Sequence, residues 1–146
     1  MLRLSTKARY ATRIMVYMAQ KDPRELAPRQ EIANAEGISP DYVEQILIKL
    51  KAAGMITSHR GARGGFSIAD GAEKSSVADI LQAVEGPISL VPCTDEKCTR
   101  VSICVTRMVW ERATEALKDV FMQTTIEDIA KQAKALNASK SLTFEI

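Results

Sequence analysis

A mainly α chain built around one small β-hairpin is what this sequence predicts, and three observations carry that expectation. Apolar residues recur at spacings of three and four through several segments of the 146-residue chain. Strand-like runs are confined to residues 55–69, where they flank a glycine-rich tip. Proline and glycine fall at the joints between periodic segments, at Pro23, Gly37, Pro40, Gly54 and Gly86, where helices start and stop.

Tyr10, Ile14, Tyr17 and Met18 repeat at helical spacing behind Ser5 and Thr6, whose hydroxyls suit a helix start, and Asp22-Pro23 closes this first helix. Pro28 fits the first turn of a short second helix, Arg29 to Ala35, ended by Gly37. Ser39 is a good N-cap ahead of Pro40, opening a third helix that runs to about Ala53 and stops at Gly54. On it Val43, Ile46, Leu47 and Leu50 share one face, while Asp41, Tyr42, Gln45 and Lys49 lie opposite. Two helices joined by a tight glycine turn, the second with a buried stripe and a polar outer face, have the layout of a DNA-reading helix-turn-helix.

Met55 to His59 and Phe66 to Ala69 form the expected hairpin, with Arg60-Gly-Ala-Arg63-Gly-Gly65 at its tip. Glycines there let the backbone approach a phosphate or a groove floor, and Arg60 and Arg63 supply charge suited to a minor groove. The hairpin therefore reads as the wing of a winged helix-turn-helix. It follows neither a parallel strand nor a lysine-containing phosphate loop, so a nucleotide site is a poor reading. His59, the single histidine, lies more than thirty residues from any cysteine, and a surface or phosphate-facing role suits it better than metal ligation.

Val77, Ile80, Leu81 and Val84 make another amphipathic helix ended by Gly86-Pro87. All three cysteines follow within twelve residues, as Cys93-x4-Cys98-x5-Cys104. Thiolates so close together suit a soft metal or an iron-sulfur cluster, and an odd count argues against a disulfide scaffold. From Val105 to Gln123 a stripe of Val105, Met108, Val109, Leu117, Val120 and Phe121, with Ala113 and Ala116, is long enough to be covered by a second copy of itself. A two-fold dimer is expected, with Trp110 outside the stripe and packed under the head or against the partner. Thr125 starts a short final helix with Ile126, Ile129, Ala130 and Ala133, and the tail from Asn137 lacks periodicity. The expected domains are a DNA-binding unit over residues 1–86, a cysteine loop over 87–104, dimerisation and C-terminal helices over 105–136, and a tail over 137–146.

Net charge is +2, but residues 1–66 hold 11 Lys/Arg against 6 Asp/Glu and residues 67–146 hold 9 against 12. The basic half is the half with the helix-turn-helix, which points to double-stranded DNA as partner. Arg3, Lys7, Arg9 and Arg13 interrupt the start of the chain, so no signal-peptide core forms, and no apolar run approaches a membrane span. A cytoplasmic protein with reduced thiols is expected. An enzyme is not, because the cysteines lack a candidate base and no His/carboxylate pair presents itself.

Together these residues resemble the winged-helix regulators typified by IscR, NsrR, RirA and CymR. The resemblance rests on Leu-Ser-Thr-Lys-Ala-Arg-Tyr-Ala at the start, Ile-Ser-Pro-Asp-Tyr-Val-Glu-Gln at the third helix, Arg-Gly-Ala-Arg-Gly-Gly-Phe at the hairpin, Asp79 to Gly86, and the cysteines ahead of Trp110. It implies a homodimeric transcriptional regulator whose Cys93, Cys98 and Cys104 hold a 2Fe-2S or 4Fe-4S cluster. It further implies that Tyr42, Glu44 and Gln45 stand at recognition-helix positions and Arg60 at the wing arginine. Ser39, Asp41, Lys49 and Arg63 complete the expected DNA-contacting set. Three departures stand out: the first gap between cysteines is four residues where five is familiar in IscR, the position of a ligating histidine there is Arg107, and that of a first-helix carboxylate in NsrR-like members is Ala8. Arginine offers no lone pair to a metal. The fourth ligand is thus open, with Asp95, Glu96, a partner-chain group or a small exogenous ligand as candidates. The same fold without a cluster, using its thiols, zinc or a partner enzyme, is the alternative, as is a protein-interaction module that never touches DNA.

Overall fold

The computed structural model describes residues 3–92 and 98–143, with side chains as far as residue 141. Helix α1, Thr6–Ala19, begins where the Ser5 hydroxyl accepts the Ala8 N–H at 3.0 Å. It packs against α2 (Arg29–Glu36), α3 (Pro40–Ala52), α4 (Val77–Glu85), α6 (Ile126–Thr143) and the hairpin strand β2 (Gly65–Ile68). Its inward line is Ala8, Ala11, Ile14, Met15 and Met18, all buried, whereas Tyr10 and Tyr17 are only half-buried. The periodicity of the large apolar residues pointed to the tyrosines. The two alanines win the inward positions because a methyl lets neighbouring helices approach closely, and aromatic rings there would hold them off.

Helix α2 ends at Gly37 in the left-handed region, φ 67°, which reverses the chain into α3. The Ser39 hydroxyl accepts the Tyr42 N–H at 3.2 Å, Pro40 follows at the first helical position, and Val43, Ile46, Leu47 and Leu50 are completely buried, the stripe the sequence predicts. Strand β1, Ile56–His59, pairs antiparallel with β2 in the register Ile56 to Ile68 through His59 to Gly65. Ala27, in the α1–α2 connection, adds a one-residue bridge on the outer side of β2, exchanging backbone bonds of 2.8 and 2.9 Å with Phe66. The wing is thereby tied to the head through backbone, not only through its own hairpin.

Helix α4 opens on a capping box in which the Ser76 hydroxyl accepts the Asp79 N–H while the Asp79 carboxylate accepts from Ser76. Beside it, the Val77 N–H donates to Thr124 at 2.9 Å and the Ile126 N–H to Ser75 at 3.0 Å, which clamps the starts of α4 and α6 together. Ile126 then joins the core cluster, with Ala130 buried one turn further along α6, which packs against α1. Helix α5, Arg107–Met122, does not carry a single stripe as expected. Thr114 is buried, Ala113, Leu117 and Phe121 are half-buried toward their own chain, and Val105, Met108, Val109, Ala116 and Val120 face outward. Residues 137–143 are also not a separate tail but the continuation of α6. Four of these seven residues are Asn, Ser or Thr, which are weak helix formers, and the Ser139 and Ser141 hydroxyls bond back to the Leu136 and Ala138 carbonyls at 2.8 Å within the helix. Among the described residues no helix is long and apolar enough to cross a membrane.

The α1–α2 junction is fastened by Glu31, which accepts from the Lys21 ammonium at 2.6 Å and the Tyr17 hydroxyl at 2.5 Å. The Lys21 bond first and the Tyr17 bond second hold the Glu31 carboxyl below the usual carboxylate range. A carboxyl lowered by folding stabilises the fold above its unfolded-state pKa and loses that contribution as pH falls through its folded-state value. We expect Glu31→Gln to flatten the acid limb of a stability-versus-pH curve from urea titrations while costing less than about 1 kcal/mol at neutral pH, because the group is well solvated. An acid limb identical to that of the unmodified chain would show that this clamp adds nothing.

Candidate nucleic-acid interface and cysteine loop

The outward side of α3 divides the expected DNA-contacting residues into free and committed groups. Asp41 and Gln45 are exposed and stand on the solvent side of the helix. Tyr42 is half-buried, edge-to-face with Tyr10 at 6.2 Å between ring centres, and the Arg13 guanidinium lies 5.2 Å from the Tyr10 ring while pairing with Glu36 at 2.6 Å. This cluster joins α1, α2 and α3, so Tyr42 orients the helix as much as it presents a hydroxyl. Glu44 is paired with Arg29 of α2. Sequence reasoning missed that pair because the two residues are fifteen apart and on different helices.

Lys49 departs furthest from expectation. Its ammonium donates to the Val84 carbonyl at 2.7 Å, in the last turn of α4. A cation at a helix C-terminus meets unsatisfied carbonyls and the negative end of the helix dipole, so Lys49 joins α3 to α4 rather than standing free over the outer face. The Ser39 hydroxyl is likewise occupied in capping.

Arg60 and Arg63 are exposed at the wing tip. His59 bonds Ser67 across the hairpin at 3.0 Å, which gives it an ordinary structural partner. Two of the tip glycines make room for the chain's own backbone. A Cβ on Gly64 would lie 2.4 Å from the His59 carbonyl oxygen, and one on Gly65 would lie 2.8–2.9 Å from the backbone of Ala27 and Pro28. Gly65 is needed because the chain's own backbone crosses β2 there.

Of the expected cluster ligands, Cys93 lies outside the described residues, as do Asp95 and Glu96. Cys98 and Cys104 are half-buried on consecutive turns leading into α5, with the Val101 N–H donating to the Cys98 carbonyl and the Arg107 N–H to the Cys104 carbonyl, both at 3.3 Å. Thr106 occupies the N-cap of α5 but makes no capping bond with its side chain; its hydroxyl stands 3.4 Å from the Cys104 sulfur instead. That hydroxyl, then the Arg107 backbone N–H, hold the Cys104 thiol below the ordinary thiol range, and the charge of Arg100 adds to the effect. A cysteine ahead of a helix N-terminus with donors around its sulfur is biased toward thiolate, the form that ligates metals. Arg107 is spent in an ion pair with Glu111 at 2.6 Å, and Ala8 is buried in the core, so neither departure from the resemblance leaves a ligand behind. The far stem of the loop is held by the Leu90 N–H, 3.4 Å from the hydroxyl of the buried Thr114 in α5.

A helix-turn-helix braced on its inner face, with an arginine-tipped wing bridged to the same head, defines a DNA-binding transcriptional regulator of the winged-helix class. The chain belongs to the Rrf2 family, described as iron-dependent transcriptional regulators, whose model matches residues 4–132. It is 34% identical over 134 residues to the protein rrf2 of Nitratidesulfovibrio vulgaris, covering 90% of this chain and 89% of that one. It is 35% identical over 130 residues to the regulator CymR of Bacillus subtilis, covering 88% and 90%. Among solved structures, that of CymR, the global cysteine regulator of B. subtilis, superposes with a TM-score of 0.75 at 34% identity over 90% of this chain and 98% of its own. T. potens IscR superposes with a TM-score of 0.74 at 30% identity over 90% and 88%. These relatives are regulators and not enzymes, in keeping with the absence of catalytic patterning in the sequence.

Gly65→Ala should force β2 away from Ala27 and Pro28, since backbone atoms occupy the space a methyl needs. We expect a loss of about 1–3 kcal/mol in urea unfolding, the usual cost of overpacking a fixed site. An unchanged midpoint would mean that the Ala27 bridge does not fix the wing.

Proposed function

We propose that the chain works as a homodimer that binds a two-fold related DNA site and adjusts that binding through a metal-sensing cysteine loop. The observation that carries this reading is the position of Cys104 on the first turn leading into α5, the helix whose outward face is apolar and uncovered. Val105, Met108, Val109 and Val120 are each more than half exposed on that side. Apolar surface of this kind is costly to leave in water and is covered when a second α5 packs against it. A change at the cysteine loop would then act on the dimer contact and, through α5 and α4, on the spacing of the two heads.

The donor set fits an iron-sulfur cluster. Cys98 and Cys104 would hold it together with Cys93, and the group, when bound, supplies a centre that oxygen or nitric oxide attacks. The chain's own part is to keep the Cys104 thiol poised by Thr106 and Arg107, and to tie both ends of the loop to α5 through Leu90 and the Cys104–Arg107 turn. On the DNA side, α3 would enter the major groove with Asp41 and Gln45 toward base edges, and Arg60 and Arg63 would reach into a flanking minor groove. The lowered Cys104 thiol equally favours a second reading, in which the thiols react directly or hold zinc.

Anaerobic purification followed by a visible spectrum with iron and sulfide analysis separates the two. We expect a coloured, iron- and sulfide-containing protein that loses both on Cys98→Ala or Cys104→Ala while the fold persists. Colourless protein that binds only zinc after anaerobic reconstitution would favour the direct-thiol reading. Gln45→Ala should remove base discrimination on the order of 1–3 kcal/mol at a selected site, and Arg60→Ala should weaken binding most at sites with a narrow minor groove. Val109→Asp should place an uncompensated charge in the α5 seam at a cost of several kcal/mol and give monomers in sedimentation; an unchanged dimer mass would move the interface elsewhere.

A further inference from the structure

The face of α3 opposite its buried stripe carries Asp41, Gln45 and Ile48 toward solvent, and Ile48 is 62% exposed. No other large apolar side chain of α3 is exposed. It stands three residues after Gln45 on the same side, with Glu44, Gln45, Lys51 and the small Ala52 as its neighbours along the helix. The other members of the expected reading set are partly engaged within the protein: Glu44 with Arg29, Tyr42 with Tyr10, and Lys49 with the Val84 carbonyl. What α3 leaves exposed opposite its stripe is therefore the Asp41 carboxylate, the Gln45 amide and the Ile48 hydrocarbon, with Lys51 and Ala52 exposed in the last turn.

Each of the two neutral groups has a match in the major groove. An amide is suited to the paired acceptor and donor of adenine, whereas a hydrocarbon has one apolar partner there, the 5-methyl group of thymine. We propose that Ile48 is a specificity-determining residue that reads a thymine methyl, next to the base read by Gln45. This rests on the reading above that α3 docks in the major groove. Three residues at about 1.5 Å each, about 4.5 Å along the helix, against a base rise of about 3.4 Å place that thymine one or two base pairs from the Gln45 contact. The half-site is then A·T-containing at both positions. An isoleucine facing unmethylated base edges would instead desolvate polar groups without a return.

The test needs a site selected in vitro by the unmodified protein, in which each thymine of one half-site is replaced singly by deoxyuridine, removing the methyl and nothing else. Loss of one buried methyl is expected to weaken binding about three- to fivefold at one position, with the rest unaffected. Ile48→Ala should bind the unmodified site more weakly by a similar factor and no longer distinguish thymine from deoxyuridine at that position. If no deoxyuridine replacement changes affinity for the unmodified protein, Ile48 reads no methyl and the inference falls. It falls equally if Ile48→Ala retains the full thymine preference. Gln45→Ala and Arg60→Ala on the same duplexes distinguish this from a failure of the docking itself: if both bind like the unmodified protein, α3 is not in the groove and both readings are overturned. If both weaken binding while the deoxyuridine scan is flat, only the role of Ile48 is lost.

Discussion

The close packing of α1 is the constraint on which the rest of the molecule depends. Five elements converge on it, and its buried line runs from Ala8 and Ala11, which present only methyl groups, to the bulkier Ile14, Met15 and Met18. A core closed this way has no slack, since interiors are packed at crystal-like density and a single added methylene is felt. The orientation of α3, and hence of everything that faces DNA, follows from how its stripe of Val43, Ile46, Leu47 and Leu50 seats in that core.

Polar contacts then fix what hydrophobic packing leaves free. The buried stripe sets which side of α3 faces out, but its tilt and register are set by pairs such as Tyr10 with Tyr42, Arg29 with Glu44 and Lys49 with Val84. These reach from α3 to three different helices. Individually they are surface or half-buried interactions of modest strength. Their effect is geometric, since a reading helix must hold its side chains to within a fraction of an ångström of base edges. Tyr42, Glu44 and Lys49, expected from the sequence to face DNA, thus also have partners within the protein.

The same helix that carries the cysteine loop at its start carries exposed apolar surface along its side. Thr106 gives up a capping bond to stand beside Cys104, and Thr114, buried in the next turns, receives the other stem of the loop. The described residues on both sides of the cysteine loop thus meet the same helix. The wing is bound to the head by the Ala27 bridge.

Helix existence, the α3 stripe, the glycine and serine boundaries and the hairpin were legible in the sequence because each is a local property: 3.6-residue periodicity, capping chemistry and left-handed glycine act within a few residues. The split face of α5, the inward alanines of α1, the role of Gly65 and the engagement of Lys49 were not. Each depends on a partner far away in the chain: Gly65 is dictated by the backbone of Ala27, and Lys49 by a carbonyl thirty-five residues on. The continuation of α6 past Asn137 was not legible either, because Asn137, Ser139, Ser141 and Thr143 are weak helix formers and no apolar period marks the segment. Sequence alone determined which elements form, which chemical groups the reading helix, wing and cysteine loop contain, and which family they resemble. Tertiary structure decided which of those groups are free to act, because a side chain's availability depends on what the fold brings beside it.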